Sequence, residues 1–174
     1  MTSERVSPPT QGPEYAQLRL RLDFHRATLR GKSEGLTQEQ LAQTHAPSTL
    51  SLGGLLKHLA LVEDWWFSAV LLGNEDAEPW RGVDFDVDPD WEFRTAADDS
   101  PEELHRLFDE AIAASNAILD EIGDDLDRLS VRKGRRQGTH FDLRWIILHM
   151  LEEYARHNGH ADLIRESIDG VTGE

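Results

Sequence analysis

The segment EEYARHNGHADLIRE, residues 152–166, decides how this chain is read. Taken with the residues before it, alternating steps of four and three pick out Ile146, Met150, Glu153, His157, His160 and Ile164. A helix turns about 100° per residue, so all six share one face. Three ionisable side chains therefore interrupt a stripe that otherwise points into a core. Such groups are costly to bury unless something satisfies them, and a metal ion can satisfy several at once. A second stripe runs through Leu55, His58, Val62, Trp65, Ala69 and Leu72, broken by a single histidine. Two core faces, each interrupted by metal-ligand residue types, predict one shared site.

Working outward, a helix covering both ends of the Ile146–Ile164 stripe starts near Asp142 and runs to about Ile168, with Gly170 beyond it. The second helix follows Pro47 and Ser48, reads SLGGLLKHLALVEDWWFSAVLL and stops at Gly73. A first helix begins near Pro13 or Glu14 and ends near Gly31, with Tyr15, Leu18, Leu22 and Leu29 on its inner face. A third begins at Ser100-Pro101-Glu102-Glu103, a cap followed by proline at the first helical position. Its inner face is predicted to carry Leu104, Leu107, Ala111, Ala114, Ile118 and Ile122, with an end near Gly123. The fold class is all-α, an antiparallel four-helix bundle with long crossover connections.

The connections carry their own signals. Residues 1–12 hold two prolines among polar residues, with Pro13 next, and read as a flexible lead-in to one domain over 13–174. Residues 32–50 form a long link with one short turn of helix at Thr37–Leu41, opened by a capping-box pattern. Residues 74–99 are rich in aspartate and include Trp80, Trp91 and Phe93. A stretch that long without helical periodicity either covers something or is a surface crossover pinned by its tryptophans. Its aromatic residues offer a surface for a homodimer. The link 124–141 contains the basic run Arg132-Lys133-Gly134-Arg135-Arg136. That run either meets a carboxylate on a ligand or is a solvated turn balancing nearby aspartates.

Composition removes several function classes. The chain has 33 acidic against 18 basic side chains and a net charge of −15, which repels nucleic-acid backbones and anionic membranes. No apolar run approaches the roughly 18 residues needed to span a bilayer. The N-terminal residues lack the apolar core of a secretory signal, so a cytoplasmic address is expected. Cysteine is absent, which excludes disulfides, thiolate ligands and a cysteine nucleophile. Any thiol chemistry must come with a substrate, and any metal site must use nitrogen and oxygen donors.

Glu153 and His157 lie four apart, so both can reach one ion from one helix face. His58 supplies a third donor across the bundle. Two imidazoles and one carboxylate suit zinc, nickel or iron(II), and three protein donors leave a position open for substrate. His149 and His160 share the same face, and either is a substitute ligand or an acid–base group beside the ion. His25 is a weaker candidate for the cavity wall. His45, His105 and His140 read as surface residues, and Trp65, Trp66 and Tyr154 as packing, with Tyr154 able to hydrogen-bond near Glu153.

The segments LLKHLALVEDWWF (55–67) and RWIILHMLEEYARHNGHADLIRE (144–166) resemble those of the DinB-like superfamily of metal-binding four-helix bundles. Many members place one histidine in the second helix and a His-x-x-x-His pair in the last. Here the first member of that pair is Glu153 and the second is His157. This variant is similar to the mycothiol-dependent maleylpyruvate isomerase branch, which combines a helix-two histidine with Glu-x-x-x-His around zinc. The EEYARHNGHADL signature itself resembles actinobacterial mycothiol S-transferases. The resemblance implies a zinc-dependent transferase in which a low-molecular-weight thiol such as mycothiol attacks a small electrophile. The same donor set is also read as a non-haem iron oxygenase site, or as a non-catalytic metal-binding stress-response module.

Overall fold

The computed structural model describes residues 5–134 and 138–172. It is mainly helical: α1 Glu14–Lys32, α2 Gln38–Ala42, α3 Leu52–Glu63, a π-helical continuation Asp64–Leu72, α4 Trp91–Thr95, α5 Pro101–Ile122 and α6 Leu143–Asp169. Strands β1 Leu129–Lys133 and β2 His140–Asp142 pair antiparallel between α5 and α6. The ribbon amends the all-α expectation. Residues 129–133 alternate exposed and covered positions, a period-2 pattern too short to stand out from a loop in the sequence.

Caps explain most boundaries. The Thr37 and Ser100 side chains each close a capping box, with Gln40 and Glu103 as the reciprocal partners. Ser51 Oγ accepts from Gly54 N–H at the start of α3, and Asp142 accepts from Trp145 N–H at the start of α6. Helix α6 closes on Gly170 in the left-handed region. The expected short turn and all four long helices are present, with ends within a few residues of the sequence reading.

Helix α1 packs on α6, and α3 packs on α5, α4 and α6. Between them lies a core that includes Leu22, Leu55, Leu59, Phe108, Met150 and Tyr154, all fully buried. Two stripes depart from their expected phase. On α5 the buried line is Leu104, Phe108, Ser115 and Leu119, while Ala114 is exposed. The predicted line lies roughly 60–70° round the helix from the buried one, so Leu107, Ala111, Ile118 and Ile122 pack only partly buried at the edge of the core. Along α3 the winding loosens after Glu63, where the π-helical segment advances each residue less far round the axis. Trp65 is turned outward at 37% exposed, and Phe67 takes the core position.

A buried polar network ties the long helices together. Arg26 of α1 donates from Nε and Nη2 to the two oxygens of Glu63 on α3, both at 2.7 Å. Tyr154 of α6 donates to Glu63 Oε1 at 2.8 Å, and Arg26 Nη1 donates to Asn116 Oδ1 of α5 at 2.8 Å. Burial works against the Arg26 charge, yet the neighbouring Glu63 carboxylate overcomes it and raises the arginine's pKa. Burial, joined by the Glu63 charge, raises the Tyr154 phenol well above its usual range.

The aspartate-rich crossover turns its aromatics inward. Trp80 is 3% exposed and meets the edge of Trp91, and Phe93 is partly covered. These rings do not form the exposed homodimer surface expected of residues 80–93, because they pin the crossover to α3 instead. Among the described residues no helix is long and apolar enough to cross a membrane.

Gly73 ends the π-helical segment at φ 80°, where a Cβ would stand 2.6 Å from Val131 Cγ1 on β1. Gly73→Ala therefore combines a left-handed alanine with a clash against the ribbon. It is expected to destabilise the protein by about 2 kcal/mol, read from the denaturant midpoint. Val131→Ala in the same chain should recover the steric part only; full tolerance of Gly73→Ala would contradict this packing.

Candidate metal centre

Packing of α3 against α6 brings His58, Glu153 and His157 together, with one donor atom from each lying within 4.8 Å of the others. His157 Nε2 is 3.4 Å from Glu153 Oε2, and the two imidazole rings are 5.0 Å apart. Zinc–donor bonds of about 2.0–2.1 Å place tetrahedral donors roughly 3.4 Å apart, so the pair on α6 is already spaced for one ion. Two nitrogens and one carboxylate from two helices form a donor set with an open side.

Burial sharpens the fit. His157 is 8% exposed and Glu153 is partly covered. Burial, then the nearby His58 charge, pushes the His157 imidazole down to about 4. It is therefore neutral at neutral pH, the form that binds a metal. In the ion-free protein the unfolded chain binds a proton at His157 near pH 6.5 and the folded chain does not until about pH 4. Stability contributed by this site is thus present above pH 6.5 and is lost as pH falls toward 4, by up to roughly 3 kcal/mol. Denaturant midpoints of chelator-treated protein at pH 7 and pH 4.5 should show that loss, and His157→Gln should flatten it.

The other histidines separate into clear roles. His149 lies one turn before Glu153, with Nε2 3.6 Å from Glu153 Oε1. Its ring stacks on Trp145 and meets Trp66, which in turn contacts Phe141. Trp66 is thus part of the wall beside the site as well as packing. His160 Nδ1 faces His157 Nδ1 at 3.4 Å, away from the Nε2 that faces Glu153. His25 lies against Asn158, which donates to the His25 carbonyl at 3.1 Å. His45 and His140 are exposed as expected. His105 is not a free surface residue: it is partly buried and bonded to Ser33 Oγ at 3.0 Å, and burial lowers its pKa.

Arg132 of the basic run is held by Asp76, by the Asn74 carbonyl and over the Trp65 ring. Arg132 thus balances a nearby acid, from strand β1 and not from a turn. Arg135 and Arg136 lie outside the described residues.

One residue of the site escaped the sequence reading. Glu92, on α4 of the crossover, is buried at 3% exposed, with Oε1 2.9 Å from His58 Nδ1. Its other oxygen is buried with no hydrogen-bond partner among the described residues. A carboxylate half-satisfied in this way fits a site that receives a cation on the far side of the imidazole. No helical spacing links Glu92 to His58, and a buried glutamate in an acidic stretch has no sequence mark of its own.

A cleft of about 710 Å³ opens beside the same stretch of α3, lined in part by Val62, Asp64, Trp65, Trp80 and Phe85. Val62 is one helical turn from His58, so cleft and donor set share a flank of the helix.

A family model described as Mycothiol-S-transferase (MST) matches residues 17–170. No curated protein matches the chain.

Proposed function

The chain belongs to the mycothiol-S-transferase family, and from that premise we propose that it joins a low-molecular-weight thiol such as mycothiol to a small electrophile, using a divalent ion, zinc first among the candidates. The observation that carries this reading is the convergence of His58, Glu153 and His157 from two helices. In fold terms, residues 13–174 are read as one DinB-like four-helix bundle domain, built from α1, α3 with its continuation, α5 and α6.

His58, Glu153 and His157 would hold the ion. When bound, it would lower the pKa of a thiol that meets its open side, as it does for water. The chain's own residues supply the rest. His149 Nε2, at the edge of the donor set, takes the proton released from sulfur. The sulfur electron pair then forms the new bond to the electrophilic carbon, and the leaving group departs with its bonding electrons. Trp66 and Trp145 hold the His149 ring between them and limit water at that edge. His160 acts through His157, fixing that ring by its outer nitrogen. The 710 Å³ cleft takes the body of the thiol, its carboxylates accepting from hydroxyl groups and its aromatic faces covering apolar ones.

The test is conjugation of a chromogenic electrophile by zinc-loaded protein, with and without mycothiol. Turnover should require both thiol and metal. His149→Ala should lower kcat by roughly 10²-fold or more while leaving the bound metal in place. A rate independent of thiol would remove the transferase reading, and oxygen consumption by iron-loaded protein would replace it with an oxygenase.

A further inference from the structure

Helix α4 is held against the ligand-bearing turn of α3 on several sides. Phe93 stacks on the His58 ring with centroids 4.7 Å apart and planes at 23°. Lys57, the residue before His58, reaches Asp99 at 2.5 Å and lies over the Trp91 ring at 4.9 Å. Gly54, one turn before His58, makes the approach feasible, since a Cβ there would meet Phe93 Cδ1 at 3.0 Å. In the middle of these contacts sits the buried Glu92 carboxylate, one oxygen on His58 Nδ1 and the other without a partner among the described residues.

We propose that Glu92 is a positioning residue of the metal centre, and that through it ion binding and the docking of residues 91–95 are coupled. The assignment rests on the metal reading above. A carboxylate oxygen accepts, so His58 Nδ1 carries the hydrogen and Nε2 keeps its lone pair for the ion. The Phe93 ring and the Glu92 bond together leave the imidazole no freedom to flip. The negative charge behind the ring makes Nε2 a better donor. Linkage then runs both ways. An ion that binds the oriented ring stabilises docked α4, and docked α4 tightens the ion to the same extent. The aspartate-rich crossover thus covers the metal side of α3 as part of the centre.

Zinc affinity measured by competition with a chromophoric chelator tests this on the intact chain. Glu92→Ala should weaken zinc roughly 10–100-fold. Glu92→Gln keeps the shape and a carbonyl oxygen that accepts from Nδ1–H, so it should recover part of that loss. Backbone hydrogen exchange supplies the second readout. Zinc should slow exchange across residues 91–95 in the wild type and leave it unchanged in Glu92→Ala. If Glu92→Ala fails to fold, the near-isosteric Glu92→Gln carries the test, with weaker zinc binding expected. Wild-type zinc affinity in every folded Glu92 variant, beside loss of zinc in His58→Ala, overturns the Glu92 assignment alone. Wild-type protein that takes up no zinc overturns the metal reading and this assignment with it.

Discussion

Alanine at His58, Glu153 or His157 is expected to end stoichiometric metal binding. Removing a residue that merely orients a ligand costs roughly 10–100-fold in affinity, so loss of a direct donor should exceed a hundredfold. With two donors left, the third position passes to water, and a micromolar competitor chelator should strip the ion completely. Thiol-conjugating turnover should disappear with it. His149→Ala and His160→Ala serve as controls, because neither side chain offers an atom to the three-donor cluster. Both should keep a full complement of metal, with His160→Ala weakened through the His157 ring it faces. Metal analysis of all five variants beside wild type decides the matter. A full complement in all three donor variants would show that the convergence of these side chains has no bearing on an ion.

Glu63→Ala is expected to cost about 3–5 kcal/mol of folding stability, because it leaves the Arg26 guanidinium buried without its counter-charge. Tyr154 loses its acceptor in the same change. Glu63→Gln should fall between, since the amide oxygen still accepts but carries no charge. Replacing both ends, Arg26→Met with Glu63→Leu, should be much milder, since no unpaired charge remains. Urea midpoints at neutral pH measure all three. A Glu63→Ala loss below about 1 kcal/mol would place the pair in a wetter setting than its burial implies. None of Arg26, Glu63 and Tyr154 belongs to the donor cluster, so the doubly replaced protein should still bind zinc. That result would separate the fold's support from its chemistry.

Periodicity made the three candidate donors legible. Glu153 and His157 share a face because four residues are close to one helical turn, and His58 interrupts an apolar line in the same way. These are local facts, written wherever a helix forms. Serine and threonine caps, the proline after Ser100 and the terminal glycines marked the helix ends for the same reason. Absence of cysteine limited the donors to nitrogen and oxygen before any fold was known.

What the tertiary structure alone decided are the relations between distant residues. Glu92 meets His58 across 34 positions, and Arg26 meets Glu63 across 37. Neither pair has a spacing that any regular element imposes. In the sequence Arg26 and Glu63 look like ordinary charges on amphipathic helices, and Glu92 like one more acid among aspartates. The π-helical loosening after Glu63, which turns Trp65 outward and carries Phe67 into the core, also depends on what packs against it. Local sequence set which faces are apolar and where helices begin and end. Only packing, which minimises buried unpaired charge over the whole molecule, set which polar groups face one another.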